Sequence, residues 1–188
     1  MAAGPGGKTG VSSILLAAPA FDDDFELFGG PLFSTFEAGV VAARAEAQLG
    51  VVCFHPRYKV SDGSGWPGFG HMHSVPRLEK WYQEELERRE KQKRRKQRNR
   101  SSQQVSTSTG SDDEKCPLLS KEDVAAGGAW QRRTPHATIN VLRADQLAVA
   151  ESRRNSASMY SENMERLVLE IGSERLAQDL EAERSMGR

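Results

Sequence analysis

Two short stretches, far apart in the sequence, carry side chains that can bind an anion and move a proton. His55 and Tyr58 follow the apolar run at 51–54, while Arg133 precedes a later apolar run and Arg143 ends it. An arginine can hold a phosphate or carboxylate through two parallel hydrogen bonds, and a histidine titrates near neutral pH. We expect the two apolar runs to be neighbouring strands of one sheet and these side chains to converge at one rim. The pattern then predicts a site for a small anionic ligand, with His55 as the candidate catalytic residue.

These residues also have a simpler interpretation, which we favour. His55 can cap the end of a strand by bonding to loop backbone, and Arg133 can pair with a carboxylate. Cys53 shares a strand face with His55, but such residues lie about 6–7 Å apart, which disfavours a cysteine–histidine nucleophile pair. His71 and His73 lie in a glycine-rich segment without an obvious set of converging ligands, so we predict no metal and no cofactor.

A basic run at 88–100 is a second candidate site, this time for a macromolecule. It holds nine Lys or Arg and one Glu, and it can bind the phosphates of a nucleic acid or an acidic protein. It lacks the interleaved aromatic residues that stack on bases, so a solvated helix face is the simpler and favoured interpretation. The candidate contacts are Arg88, Arg89, Lys93, Arg94, Arg95, Lys96 and Arg98.

Hydrophobic patterning predicts the elements that must position these residues. Three apolar runs indicate strands, the first of them buried. They are 12–18, 51–54 and 137–143. Between the first two, Ser34 and Glu37 have the spacing of a capping box, which predicts a helix start, and Gly50 is a suitable stop. A strand–helix–strand order favours a right-handed crossover and parallel pairing.

The remainder of the chain alternates between helical and polar segments. From Pro76 an apolar stripe predicts a helix, and because the stripe ends at Leu86, the helix should continue away from the folded body into solvent. Residues 101–128 are rich in Ser, Thr, Gln and Gly, which predicts disorder. Residues 144–154 look helical, and a packed helix around Met164 should end at Gly172.

These elements fit one domain with an interruption. The expected fold class is α/β or α+β, with a small, three-stranded, partly parallel sheet covered by helices. Residues 1–10 are predicted to be disordered, and residues 11–61 and 131–188 to form the two parts of the folded domain. Residues 62–130 are predicted to be an insertion made of a loop, a projecting charged helix and a disordered tract.

Three motifs resemble the domain-of-unknown-function family numbered 1415. The family's Phe-His-Pro-Asp-Tyr motif is similar to FHPRY at 54–58, and its Asn-Arg-Ser-Pro-Tyr-Pro motif to RRTPHA at 132–137. A family asparagine in a C-terminal helix corresponds to Asn163. The resemblance implies a mixed α and β fold and adds Asn163 to the ligand-binding candidates, which are then His55, Tyr58, Arg133, Arg143 and Asn163. It implies no reaction, because the family has no agreed activity.

The chain also departs from that family pattern at several positions. Arg57 stands where the family has Asp, Arg132 where it has Asn, and Asn140 where its strand has His; His136 and Ala137 replace Tyr-Pro. Family members begin with an extra helix and strand, and their two main motifs lie closer together. We therefore expect a diverged copy that is shortened at the N-terminus and carries a long insertion.

Composition restricts the classes of function. Lys plus Arg and Asp plus Glu both total 26, so the zero net charge gives no general reason to expect nucleic-acid binding. Two cysteines form no disulfide framework, and the sequence lacks a long apolar span, so we expect no membrane insertion and an intracellular, preferably cytoplasmic, location, with an organelle as the alternative. Two classes stay open: an enzyme or binding protein for a small anion, and a non-catalytic interaction protein.

Overall fold

The computed structural model describes residues 13–63, 73–101, 118–145 and 156–186. These residues form an α+β fold, as predicted, in which helices pack on a three-stranded sheet. The strands are β1 (Ser13–Ala17), β2 (Leu49–Phe54) and β3 (Thr138–Arg143). The helices are α1 (Phe25–Leu27), α2 (Phe33–Ala42), α3 (Val75–Ser101), α4 (Lys121–Trp130), α5 (Ser156–Glu165) and α6 (Ser173–Met186). The π-helical segments Phe28–Leu32 and Arg166–Ile171 extend α1 into α2 and prolong α5.

The sheet has the order β1-β3-β2, and both pairings are antiparallel. The prediction that the second and third apolar runs are neighbours is confirmed, with Val51 opposite Val141. The prediction of partly parallel pairing is wrong. β1 and β2 do run in the same direction, as their helical connection requires, but β3 lies between them and bonds to both.

The first strand is exposed rather than buried, which corrects a second prediction. Ile14, Leu15 and Leu16 are 54%, 66% and 43% exposed. β1 is an edge strand that pairs only with β3. An apolar run identifies a strand but does not reveal whether other elements cover its faces, and here burial on both faces was inferred from composition alone.

The first hydrophobic core fills one face of the sheet. Val51, Cys53 and Ile139 share this face because side chains alternate along a strand, and Phe28 and Phe33 pack on them from the helical segments. Burial raises the pKa of the Cys53 thiol to about 12, so the thiol stays protonated and serves as a small apolar side chain.

The helix between β1 and β2 begins and ends earlier than predicted. Asp24, rather than Ser34, caps it by accepting a hydrogen bond from the Leu27 amide (2.9 Å). The helical path then passes through Pro31 in a π-helical segment, so Ser34 lies within a continuing helix. The helix ends at Ala42, followed by Arg44 with φ 53°, well before Gly50.

A second core joins α3, α4 and α5. Leu78 and Tyr82 pack with Val124 and Met164, and the Tyr82 hydroxyl accepts a hydrogen bond from the Leu119 amide (3.3 Å). The disorder predicted for 101–128 is therefore wrong for residues 118–128, where a Ser120 capping box starts α4. Residues 102–117 lie outside the described residues, and an origin of 62–130 by insertion stays a prediction.

Two adjacent glycines allow α4 to approach its neighbours closely. A Cβ on Gly127 would lie 2.9 Å from the Met164 Cβ and 3.0 Å from its Cα, and one on Gly128 would lie 2.4 Å from a Leu78 methyl. Ordinary side-chain contacts require more than 3.4 Å. The bare backbone of these residues is thus the surface on which α3 and α5 pack.

The first turns of the basic run fasten α3 to α5. Glu85 is buried and accepts hydrogen bonds from Arg88 (2.7 and 2.9 Å) and Arg89 (2.9 Å), and Arg89 also pairs with Glu165 (2.8 Å). The bonds from Arg88 hold the pKa of Glu85 below its ordinary value. Beyond them, every residue from 91 to 98 is exposed, and the projection of the helix away from the folded body stays a prediction.

The C-terminal helices follow the predicted pattern. The helix that begins at Ser156 continues to Ile171 and stops at Gly172, which has φ 85°, and α6 starts at Ser173. Residues 1–10, predicted to be disordered, and most of 144–154, predicted to be helical, lie outside the described residues. No helix in the described ranges has both the length and the apolar character to cross a bilayer.

Candidate functional site

His55, the candidate catalytic residue, is fully buried and bonded to backbone on both sides of its ring. The Arg57 amide donates to Nδ1 (2.9 Å), so Nε2 carries the proton and donates to the Phe21 carbonyl (2.8 Å). The rings of Phe25 and Phe28 lie 5.3 and 5.5 Å away. Burial lowers the pKa of His55. The simpler interpretation, a histidine that bonds loop backbone, is confirmed, and both ring nitrogens are occupied.

Arg143 lies at the opposite end of the sheet from His55. In the β2–β3 register Arg143 faces Leu49, whereas Phe54 faces Thr138. The prediction that Arg143 and His55 share one rim is therefore wrong. It placed both Arg133, which precedes the third strand, and Arg143, which ends it, at the rim of His55, although the length of β3 separates them. Arg143 instead forms an ion pair with Asp145 (3.1 Å).

Tyr58 and Arg133 stabilise the turn after β2. Tyr58 is buried against Phe25 at 5.1 Å, and burial raises the pKa of its hydroxyl to about 12. Arg133 donates to the Tyr58 carbonyl (3.4 Å) and its guanidinium lies 4.1 Å from the Trp130 ring centroid. The carboxylate partner expected for Arg133 is absent from the described part of the chain.

A cavity of about 960 Å³ lies between the second face of the sheet and the helices α3, α4 and α5. The sheet face is formed by residues that alternate with those of the first core, namely Val52, Phe54, Asn140 and Leu142. The opposite wall includes His73, Arg77, Trp81, Trp130, Gln131, Arg132, Met159, Tyr160, Asn163, Arg166, Leu167 and Ile171. Asn163 is the one predicted ligand residue that the fold brings here.

The charged groups of the cavity are all of one sign. Arg77, Arg132 and Arg166 line it, and no carboxylate does so among the residues that the structure describes. Arg132 is the least exposed of the three: its guanidinium is 5.4 Å from the Phe54 ring centroid, and its Nη2 donates to the Tyr160 hydroxyl (3.4 Å). Arg77 and Arg166 are exposed at the mouth. The cavity therefore presents a positive potential to an entering ligand.

An aromatic cluster forms one side of the same cavity. The ring centroids of Trp81 and Tyr160 are 5.3 Å apart, and His73 meets both rings edge-on at 4.7 and 4.6 Å. The Arg77 guanidinium lies 4.8 Å from the Trp81 ring centroid. These contacts fix flat surfaces next to the cationic groups.

Three side-chain amides supply hydrogen-bonding groups. Asn163 Nδ2 donates to Gln131 Oε1 (3.3 Å), which fixes the orientation of both side chains. Asn140 also borders the cavity, and its Oδ1 is buried without a hydrogen-bond partner. These amides can bond to polar groups at the edge of a bound ligand.

The sequence contained signals for this site that were not combined. Arg132 and Asn140 attracted attention only as departures from the family motif, and Trp81 only as part of an apolar stripe. Asn140 interrupts the third apolar run at a position whose neighbours on either side face the first core. A polar residue in that position indicates that the second face of the sheet is not fully packed.

Neither a protein-family model, nor a curated protein, nor a solved structure matches the chain. The described residues contain no group of three or more His, Cys, Asp or Glu side chains that could hold a metal ion. Cavity geometry and chemistry are therefore the grounds on which a function can be argued.

Proposed function

We propose that the cavity between the sheet and α3, α4 and α5 binds a small anionic ligand, with Arg132 as its principal contact. The observation that carries this proposal is the lining itself: three arginines and, within the described ranges, no carboxylate. The volume of about 960 Å³ lies at the upper end of the range typical of small-molecule pockets, about 300–1,000 Å³.

The surroundings of Arg132 favour this role over a purely structural one. The Tyr160 hydroxyl and the Phe54 ring hold its guanidinium in place, so little side-chain freedom is lost when an anion binds. Arg77 and Arg166 at the mouth would attract the anion before it reaches Arg132. The proposal assigns binding and leaves the reaction, if the ligand undergoes one, unassigned.

We also propose that the chain is a diverged relative of the domain-of-unknown-function family numbered 1415. Arg132, Asn140 and Asn163 occupy positions of the family motifs, and all three border the cavity. On this proposal the motif residues form the ligand site, while His55 and Tyr58 stabilise the turn that supports it.

The substitution Arg132→Gln tests the ligand site. We expect wild-type protein to be stabilised by inorganic phosphate or small carboxylates in a thermal-shift screen, and the variant to bind them about 10- to 100-fold more weakly by calorimetry, since a charge-assisted hydrogen bond contributes about 1.5–3 kcal/mol. Arg143→Gln is the matched control, because Arg143 lies outside the cavity, and it should retain wild-type affinity. Absence of stabilisation by every anion would contradict the proposal.

A second candidate function rests on the exposed part of α3. Residues 91–98 are all exposed and include six basic side chains and no acidic one. Arg88 and Arg89 are bonded to Glu85 and are removed from the earlier candidate set, because their role is to join α3 to α5. The exposed helix would bind a polyanion, either a nucleic acid or an acidic protein.

The double substitution Arg95→Glu, Lys96→Glu tests this second function. Fluorescence anisotropy measures the affinity of wild-type protein for a single-stranded RNA oligonucleotide and for an acidic peptide. We expect the affinity for the true partner class to fall as the salt concentration rises. The variant should bind the true partner class at least tenfold more weakly and with a shallower salt dependence. Lys121→Glu, an exposed change on α4, should have little effect. Equal binding by the double variant would exclude this surface.

A further inference from the structure

On the basis of the proposed function, we infer that the ligand is an adenine nucleotide, or a close nucleoside phosphate whose base carries an exocyclic amino group. The structural ground is the juxtaposition of the arginines with Trp81, Tyr160 and the Asn140 side-chain amide within one cavity. A simple anion would use the arginines alone.

The aromatic lining indicates a flat ligand body. Trp81, Tyr160, Trp130 and Phe54 all border the cavity, and their polarised rings are suited to stacking on a heterocycle. Stacking of a base on an aromatic side chain contributes about 1–3 kcal/mol. An inorganic phosphate would leave these surfaces unoccupied, which argues for a ligand that is aromatic as well as anionic.

The amides indicate that the ligand body is polar at its edge. The amides of Asn140, Gln131 and Asn163 border the cavity, and a base that carries an amino group beside a ring nitrogen can bond to such an amide. In protein–nucleic acid complexes, an asparagine side chain commonly bonds to both the amino group of adenine and the adjacent ring nitrogen. The same pairing is available to Asn140. A fatty acid also has a single anionic group and a large body. Its apolar chain, however, has no hydrogen-bonding group for Asn140, Gln131 or Asn163.

The experiment compares AMP, adenosine and inorganic phosphate on wild-type protein by calorimetry, with quenching of the total tryptophan fluorescence as a second readout. We expect AMP to bind at least tenfold more tightly than either adenosine or phosphate, because only AMP engages both parts of the cavity. This comparison depends on no variant and so on no variant's folding.

Asn140→Ala adds a residue-level test. It should weaken AMP about tenfold and leave phosphate affinity unchanged, whereas Arg132→Gln should weaken both. Phosphate binding as tight as that of AMP would overturn the nucleotide inference and leave the anion site standing. Failure of every phosphate-bearing ligand to bind would overturn both the nucleotide inference and the anion site. Adenosine binding as tightly as AMP would also overturn both, because the phosphate would then contribute nothing to affinity.

Discussion

His55→Ala is expected to lower the free energy of unfolding by about 3–5 kcal/mol. The substitution removes two hydrogen bonds and leaves the Phe21 carbonyl and the Arg57 amide without partners, at about 1–3 kcal/mol each. It also leaves a void beside Phe25 and Phe28 that the backbone can close only in part. Urea denaturation followed by circular dichroism measures the loss. Lys59→Ala, an exposed change in the same loop, should leave stability unchanged.

The same residue should give the protein a characteristic dependence on pH. Because burial lowers the pKa of His55 below its ordinary value of 6.5, the unfolded chain takes up a proton more readily than the folded one. The contribution of His55 to stability is thus complete above pH 6.5 and is lost as the pH falls from there towards the folded pKa. The slope of unfolding free energy against pH should be smaller in His55→Ala.

Ligand affinity separates this structural role from a catalytic one. His55 does not line the cavity, so His55→Ala should bind anions as wild-type protein does at temperatures where both are folded. A variant with wild-type stability but without anion binding would restore the original sequence hypothesis and remove the structural one.

Gly127→Val is expected to destabilise the protein by about 2–3 kcal/mol. The new Cβ would begin 3.0 Å from the Met164 backbone, which a change of rotamer cannot relieve, so α4 and α5 must separate. The matched control is Gly39→Val, also within a helix, where an added Cβ meets nothing within 4 Å. We expect the control to remain within about 0.5 kcal/mol of wild type. Similar losses at both sites would contradict the close-packing argument, because the side chain added at Gly39 meets no neighbour.

Local patterns in the sequence predicted the strands and most of the helices, but not their relations in space. The apolar run at 137–143 identifies β3, and β3 does lie beside β2. Its direction depends on how the chain returns after a long excursion, and no local pattern records that path. The position of Arg143 was wrong because Arg133 and Arg143 were both expected at one rim, whereas β3 runs between them and separates them.

Composition misled the interpretation where packing determines structure. Gly127 and Gly128 made residues 101–128 look disordered, yet they allow α4 to pack closely, an effect that only the neighbouring helices reveal. The Ser120–Asp123 capping box was the available signal for α4. At Ser34 the same kind of signal was wrong, because the Asp24 cap had already started a helix that continued through Pro31.

In the candidate site too, the sequence indicates individual residues but not how the elements pack around them. Asn163 was identified through a family resemblance and does border the cavity, but the cavity itself arises where a sheet face meets three helices from different parts of the chain. Alternation along β2 and β3 tells which residues share a face. It does not tell whether the helices opposite will fill that face or leave a space, which depends on the sizes of side chains such as Leu142 and Leu167.

The order of the strands has a consequence for how the protein is made. β3 occupies the centre of the sheet but is the last strand to be translated, more than eighty residues after β2 ends. At about 5–20 residues per second, the ribosome needs about 4–17 s to supply it. Throughout that interval the nascent chain carries two apolar strands that cannot yet hydrogen-bond to their common partner, so their edges stay unpaired until the final third of the polypeptide emerges.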